Sequence, residues 1–340
     1  MTKPTVRFGV QTGQQEASWP EIRDTWLELE DLGFDDLWVY DHFLPTGTTL
    51  VDGPVTDAWA LLAALSQVVE KPRLGTLVTS ATFRHPVVLA KMATTVDHAS
   101  GGRLILGIGS GWHQPEHTAY GIHFPGPRER VERLEETVRV IKLLWAEQRT
   151  TFQGKYYQLK DAPFEPKPLQ KPHPPIVIGG GGEKRTLPMV ARVADEWNWN
   201  INGTSQDYQR KLKVLEEHCN ALGRDPRTLN LSLNVDFLIS EDPNRIASAL
   251  KVNAQSAGVS IERSKEATIV GDPDEVRRKL QIYIDMGVRS FIFSLRAPFE
   301  EAGTLKLPDL EERTLRYYTT MEDVRRLARE VLPPLRQQAT

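Results

Sequence analysis

Two periodicities of hydrophobic residues alternate from one end of the chain to the other. Short runs rich in β-branched and aromatic residues are followed by longer stretches whose apolar residues recur every three or four positions. This alternation predicts βα units built around a parallel sheet. Eight strands are predicted, at residues 6–10, 36–40, 73–79, 103–108, 176–178, 196–201, 229–239 and 288–295.

The first predicted helix illustrates how the helical stretches are delimited. Ser18 and Glu21 have the spacing of a capping box, and Pro20 suits the first turn of a helix. Apolar residues then recur on one face as far as Gly33, which can adopt the left-handed backbone that ends many helices.

Eight strands, each followed by a helix, favour a closed (β/α)8 barrel, the TIM-barrel fold. An open doubly wound sheet, which usually has five or six strands, is the alternative. Residues 150–175 interrupt the rhythm with an aromatic stretch and then a proline-rich stretch. We interpret this segment as an insertion after strand four, within a single domain of residues 1–340.

Composition narrows the class of protein. Hydrophobic residues make up 40% and charged residues 26% of the 340 residues, with a net charge of −3, which is typical of a soluble globular protein. Basic residues are scattered among acidic ones, so no nucleic-acid partner is predicted. The longest apolar run, 58–65, is far shorter than the roughly 20 residues that span a bilayer. A single cysteine, Cys219, and the lack of a signal-peptide pattern predict a cytoplasmic protein that does not contact a membrane.

Asp41 and His42 end the second predicted strand. Reacting groups of a (β/α)8 barrel come from the carboxyl ends of strands, so both side chains are predicted at the barrel mouth. Histidine is well suited to moving a proton near neutral pH, and a neighbouring carboxylate can raise its basicity or hold a ring nitrogen. In the alternative, structural interpretation, Asp41 caps the following loop and His42 packs passively.

Two glycine-rich segments follow strands four and five. In the first, Gly109 and Gly111 flank Ser110, and the missing Cβ atoms would let a planar ring or a phosphate approach the backbone. A simple turn at the strand end is the alternative. The second segment has four consecutive glycines before a helix, where free N–H groups and the helix dipole favour a phosphate. These are Gly179, Gly180, Gly181 and Gly182.

His113 to His117 match the H-x-x-E-H pattern of some zinc peptidases, which requires both histidines one turn apart on a continuous helix. Pro115 is compatible only with the first turn of a helix. His113 is therefore predicted to precede the helix and to face away from His117. On this basis the sequence predicts no metal site.

Taken together, these segments resemble the bacterial luciferase-like monooxygenase superfamily, and more closely its branch of coenzyme F420-dependent, or deazaflavin-dependent, oxidoreductases. The resemblance covers nearly the whole chain and implies the same (β/α)8 fold. It is carried, in the family's order, by GFDDLWV (33–39) with Asp41 and His42, RLGTLVT (73–79), RHP (84–86) with Lys91 and Met92, SGGRL (100–104), GIGSGW (107–112), YG (120–121), FQGKYY (152–157) and PIVIGGGG (175–182).

The resemblance implies a role for the residues at strand ends two and three. His42 corresponds to the family's histidine that accepts or donates a proton beside the reactive ring carbon, and Asp41 lies next to it. A bulge behind the ring, formed in relatives by a non-proline cis peptide, corresponds to Leu77-Val78, and Thr79 follows as a further cofactor-binding residue.

The resemblance also implies where the rest of the coenzyme binds. The loop that contacts the ring and the ribityl chain corresponds to Gly109, Ser110 and Gly111. The phosphate cradle corresponds to the four glycines Gly179, Gly180, Gly181 and Gly182. Relatives commonly pair, so a homodimer is expected.

These observations lead to a hypothesis of hydride transfer between coenzyme F420 and a small-molecule organic substrate, with His42 moving the proton. An FMN-dependent monooxygenase and a flavin- or deazaflavin-binding protein without turnover are the alternatives. Trp112 stands where some sugar-phosphate dehydrogenases of the family have an acidic residue, which favours a less charged substrate. Trp112, Phe43 and Trp59 are candidate pocket walls, and Tyr156 and Tyr157 on the insertion are candidate lid residues.

Overall fold

The computed structural model describes residues 5–46, 53–200, 203–295 and 319–337. Its strands are, in chain order, β1 Arg7–Thr12, β2 Asp36–Val39, β3 Arg73–Thr76, β4 Thr79–Ser80, β5 Leu104–Gly109, β6 Arg149–Gln153, β7 Gln158–Pro163, β8 Ile176–Gly179, β9 Glu196–Asn200, β10 Asn230–Val235, β11 Phe237–Ile239, β12 Ile269–Gly271 and β13 Ser290–Leu295.

The helices surround these strands. They are α1 Trp19–Asp31, α2 Ala58–Leu65, α3 Pro86–Ala99, α4 Gln114–Ala119, α5 Pro127–Ala146, α6 Thr186–Val193, α7 Ser205–Ala221, α8 Pro243–Ala257, α9 Ile261–Ala267, α10 Pro273–Asp285, α11 Met321–Arg326 and α12 Leu332–Gln337. Within the described residues, none of them is long and apolar enough to cross a membrane.

Parallel pairing closes the main sheet into a barrel of eight strand positions. The order runs from β3 through β2, β1, β13, β10, β9 and β8 to β5, and β3 and its continuation β4 both pair with β5. The (β/α)8 prediction is therefore confirmed, and the open sheet is excluded. All eight predicted strands are present in this barrel.

Two predicted strands are interrupted. The strand predicted at 73–79 is split into β3 and β4 at Leu77 and Val78, whose peptide bond is cis. The strand predicted at 229–239 leaves the barrel after β10, and its last part, β11, pairs in parallel with β12 outside the barrel. The hydrophobic pattern of residues 229–239 does not show where one strand ends and a second strand, in a different sheet, begins.

The sequence also predicted how the first helix is held. Ser18 Oγ accepts a hydrogen bond from the Glu21 N–H, the Glu21 carboxylate accepts one from the Ser18 N–H, and Gly33 has a φ of 79°. The buried face of α1 packs onto the barrel through Trp26 and its neighbours. This confirms the predicted capping box and helix stop.

Trp38 fills the inside of the barrel. Three neighbouring strands carry Gly9, Gly75 and Gly107, and a Cβ on any of them would lie within 3.5 Å of the Trp38 side chain. A bulky indole on β2 and glycines on β1, β3 and β5 therefore interlock. Trp38 packs there in an apolar cluster with Leu77, Ile105, Val177 and Ile292.

The predicted insertion after strand four is an antiparallel hairpin of β6 and β7. The Glu136 carboxylate on α5 accepts hydrogen bonds from the backbone N–H groups of Lys155, Tyr156 and Tyr157. Tyr157 is buried, with its ring against His85. The hairpin is thus fastened to the outer face of α5.

Candidate active site

A cavity of about 550 Å³ opens at the carboxyl end of the barrel. Each side chain reaches it from the last residues of a strand, from the loop that follows, or from the helices α4 and α7. The lining residues are Gln11, Asp41, His42, Leu77, Val78, Ser80, Gly109, Ser110, Gly111, Trp112, Glu116, Gly179, Gly180, Gly181, Gly182, Asn198, Trp199, Asn200, Lys211 and Asn234.

Eleven of the twelve predicted site residues line this one cavity, and Thr79 is the exception. Thr79 is fully buried. Its hydroxyl accepts a hydrogen bond from the Trp59 indole N–H at 3.2 Å and donates one to the Asp41 carboxylate. Thr79 therefore supports Asp41 from behind the cavity lining, and its contact with a cofactor stays a prediction.

Glu116 is the partner of His42, and sequence reasoning missed it. His42 Nδ1 lies 2.8 Å from Glu116 Oε1, and the other carboxylate oxygen accepts a hydrogen bond of 2.8 Å from the Phe43 N–H. Glu116 is buried, on α4. The only sequence feature that marks Glu116 is its place in the H-x-x-E-H pattern, which we interpreted as a coincidental match to zinc peptidases.

Asp41 has a different partner from the one predicted. Its carboxylate accepts hydrogen bonds from both terminal nitrogens of Arg84, one of them at 3.1 Å, and from the Thr79 hydroxyl. Of the two roles considered for Asp41, holding a ring nitrogen of His42 falls to Glu116 in this structure, at Nδ1. Both residues lie in the loop after β2, which ends at Val39; the Asp41 carboxylate is fully buried against Arg84 and Thr79, whereas the His42 ring is 14% exposed and pairs with Glu116.

The electrostatics of the His42 pair favour an ionised Glu116. Burial alone would raise the pKa of Glu116, but its interactions with His42 and with the Phe43 N–H hold the pKa below its ordinary value. Burial lowers the pKa of His113, whose ring lies 5.6 Å from the His42 ring. A carboxylate thus faces two imidazoles at the edge of the cavity.

Trp112 is the one of the three candidate pocket walls that lines the cavity, and its ring meets the His42 ring edge-on at 5.5 Å. It is 63% exposed, at the mouth. Phe43 packs instead against Phe83, and Trp59 is buried in the core. Neither insertion tyrosine lines the cavity, and their role as lid residues stays a prediction.

Two glycines flank Ser110 at the end of β5, and a Cβ at either position would lie too close to a neighbouring side chain. Gly111 has a φ of 77°, and a Cβ there would lie 2.5 Å from Ser80 Oγ. A Cβ on Gly109 would lie 2.8 Å from Val78 Cγ2. The loop therefore packs against the Leu77-Val78 segment, whose cis peptide agrees with the expectation from the resemblance.

The four glycines form the opposite wall. A Cβ on Gly181 would lie 3.0 Å from the Trp199 ring, and Lys211 Nζ donates a hydrogen bond of 2.7 Å to the Gly181 carbonyl. Within the described part of the chain, the N–H groups of Gly181 and Gly182 have no hydrogen-bond acceptor. Free N–H groups beside an ammonium group suit an anion. Lys211, on α7, could not be predicted because nothing in its own helix marks it.

Comparison with known proteins agrees with this geometry. Residues 4–259 match the family described as luciferase-like monooxygenase. An F420-dependent glucose-6-phosphate dehydrogenase of Kineococcus radiotolerans is 31% identical over 312 residues, which cover 85% of this chain and 90% of that protein. The fold and the cavity define a (β/α)8-barrel enzyme with a site at the carboxyl ends of its strands. The chain belongs to the luciferase-like monooxygenase family and is an oxidoreductase.

Solved structures show the same fold with both kinds of ring. An F420-dependent secondary alcohol dehydrogenase in complex with an F420-acetone adduct has a TM-score of 0.75 at 21% identity, covering 85% of this chain and 93% of that chain. A riboflavin lyase with modified FMN and riboflavin has a TM-score of 0.75 at 14% identity, covering 98% and 94%. At these identities the likeness concerns the fold alone.

Proposed function

We propose that this protein is a coenzyme F420-dependent oxidoreductase that transfers a hydride between the deazaflavin and a small organic substrate of low charge, with His42 moving the accompanying proton. When bound, the deazaflavin would supply the hydride-carrying carbon. The protein supplies position, exclusion of water and the proton.

The observation that carries the proposal is that one cavity joins the His42–Glu116 pair to the four glycines. Free N–H groups at Gly181 and Gly182, with Lys211 beside them, would hold the coenzyme phosphate. At the other end, the apolar side chains of Leu77 and Val78 would support the planar ring. The N–H donors at the glycines and the apolar side chains of Leu77 and Val78 therefore fit a long molecule with an anionic group at one end and a planar ring at the other.

The hydrogen bond to Glu116 assigns the two nitrogens of His42. An ionised carboxylate at 2.8 Å accepts a hydrogen bond from Nδ1–H, so Nε2 is the nitrogen that exchanges a proton. Glu116 also stabilises the imidazolium that forms when Nε2 takes the proton. We therefore assign proton transfer to His42 Nε2 and positioning to Glu116.

The lining residues favour a substrate without a phosphate. Among those that the structure describes, Lys211 is the only lysine or arginine side chain, and it lies at the glycines, where the coenzyme phosphate would bind. Trp112 covers the mouth beside His42 with an apolar surface. A small alcohol or carbonyl compound would meet this surface without leaving a buried charge unpaired.

The test begins with titration of the purified protein with coenzyme F420 and, separately, with FMN, followed by fluorescence. We expect saturable binding of F420 and weaker binding of FMN. Binding of FMN with no response to F420 would instead support the monooxygenase alternative and overturn the proposal.

Turnover is then measured with F420 against short alcohols, small ketones and glucose 6-phosphate. We expect turnover with an uncharged compound. His42→Ala should keep F420 binding but lose turnover, whereas His123→Ala, a change of an exposed histidine outside the cavity lining, should keep both. Equal activity of the His42→Ala variant would remove His42 from the mechanism.

A further inference from the structure

Three side chains at the cavity edge bring together the ligand types that zinc prefers. Glu116 Oε1 lies 2.8 Å from His42 Nδ1 and 3.6 Å from His113 Nδ1. One ligand atom from each of the three residues lies within 4.8 Å of the others. Two imidazoles and one carboxylate, with a further position open to solvent, form a common ligand set of catalytic zinc sites.

His113 supplies the independent observation. Its Nδ1 is buried and has no hydrogen-bond partner among the residues that the structure describes, although a buried polar nitrogen is usually paired. The residue precedes α4 as its N-cap, with Pro115 in the first turn, so its ring is directed back towards Glu116 and His42. A cation bound between His113 Nδ1 and the ionised Glu116 carboxylate would give this nitrogen the partner it lacks.

The three proposed ligands therefore differ from those of zinc peptidases, in which both histidines of the H-x-x-E-H pattern bind the metal. His117 cannot contribute, because its Nδ1 lies 2.9 Å from the His113 carbonyl and its Nε2 lies 2.7 Å from the Thr82 hydroxyl. His42, 74 residues from Glu116, occupies the place of the second histidine. Only the tertiary structure brings this third ligand to the pair formed by His113 and Glu116.

We propose that His42, His113 and Glu116 bind one divalent transition-metal ion, Zn²⁺ by preference, and that the bound ion inhibits the enzyme. The ion would replace the proton between His42 and Glu116. Ligands of a tetrahedral zinc at 2.0–2.1 Å stand about 3.3 Å apart. The separations of 2.8 and 3.6 Å bracket this value, and the third, within 4.8 Å, would have to shorten when the ion binds.

Inhibition rests on the proposed function, whereas metal binding does not. With a metal on Nδ1 and the carboxylate engaged, His42 loses the acceptor that positions its ring, and proton transfer at Nε2 is impaired. The cavity supplies a water molecule as the remaining ligand. The expected behaviour is therefore a redox enzyme that needs no metal and is switched off by one.

The binding test uses Co²⁺ as a visible probe on the full-length protein without coenzyme, followed by displacement with Zn²⁺. We expect one Co²⁺ per chain, with an absorption spectrum typical of nitrogen and oxygen ligands. His113→Ala should weaken binding by about 100-fold, as loss of a ligand disrupts such sites at least as much as loss of an outer hydrogen bond. Glu116→Gln should weaken it as well, and His123→Ala should leave it unchanged.

Folding of each variant is checked by thermal melting. Equal Co²⁺ affinity of wild type and His113→Ala, or no saturable binding by the folded wild type, would overturn the proposed site. The inhibition test measures, for wild type and for His113→Ala, the Zn²⁺ concentration that halves F420-dependent turnover. The rate of each protein is normalised to its own rate without metal. We expect half-inhibition of His113→Ala to require at least about tenfold more Zn²⁺ than half-inhibition of wild type. Equal sensitivity of the two proteins would refute the proposal that inhibition arises from a metal bound at His42.

The two proposals fail in different measurements. If the F420 assignment is wrong, the metal-free protein neither binds nor turns over F420, but Co²⁺ binding and its loss in His113→Ala persist. If the metal site is wrong, F420 binding persists and Co²⁺ does not bind at these residues.

Discussion

Arg84 offers the sharpest test of what Asp41 does. The carboxylate of Asp41 is completely buried, and the Arg84 side chain is only 12% exposed. Arg84→Met keeps most of the aliphatic volume but removes both guanidinium hydrogen bonds to Asp41. The buried carboxylate then retains one partner, the Thr79 hydroxyl.

The magnitude follows from this geometry. Removing one partner of a buried ion pair typically costs about 3–5 kcal/mol, because the remaining charge is left uncompensated. The hydrogen bond from Thr79 persists, so we expect the lower end, about 3 kcal/mol, which is a change of more than about 100-fold in the unfolding equilibrium. Asp41→Asn combined with Arg84→Met should cost less than the sum of the single changes, since the two residues share one interaction.

The assay is equilibrium unfolding in urea, followed by tryptophan fluorescence. Arg128→Met is the matched control, because Arg128 pairs with Glu132 on the surface and is 75% exposed, and we expect no measurable change from it. If Arg84→Met is as stable as the control, Asp41 is not a buried structural anchor, and the reassignment of its role is refuted.

Three further changes test other parts of the site and the fold. Gly111→Ala should cost about 1–2 kcal/mol from its left-handed backbone and should also weaken F420 binding, measured by unfolding and titration. Gly126→Ala, outside the cavity lining, should leave F420 binding unchanged. Lys211→Met should weaken F420 binding by roughly tenfold at low salt and less at high salt, measured by fluorescence titration. Burial raises the pKa of Glu196, so its ionised form is disfavoured in the fold and stability falls as pH rises above the ordinary value of 4.5. Glu196→Gln should therefore gain in melting temperature over wild type as the pH rises above 4.5; a constant difference would contradict the buried carboxylate's titration.

Much of the fold could be predicted because its information is local. Each βα unit carries its own hydrophobic period, and caps such as Ser18 and Glu21 act within four residues of one another. The closed barrel then follows from the number of units and their order. The positions of the Asp41-His42 pair and the two glycine segments follow as well, because the carboxyl ends of all barrel strands meet at one mouth.

The partners of the site residues could not be predicted, because each comes from a distant part of the chain. Glu116 is 74 residues from His42, Arg84 is 43 residues from Asp41, and Lys211 is 30 residues from Gly181. A local pattern predicts which residues reach the barrel mouth. Which side chain meets which depends on how separate elements pack.

The sequence by itself therefore determined the barrel, its mouth and the residue types that gather there. Only the tertiary structure decided that His42 pairs with Glu116 and that Asp41 turns away to Arg84. The physical reason is that both residues lie in the loop after β2, so their partners are set by the elements that pack around this loop: Thr79 and Arg84 for Asp41, and Glu116 of α4 for His42. Adjacency in the chain does not decide these pairings, and the packing of α4 against the barrel mouth supplies the carboxylate that meets His42.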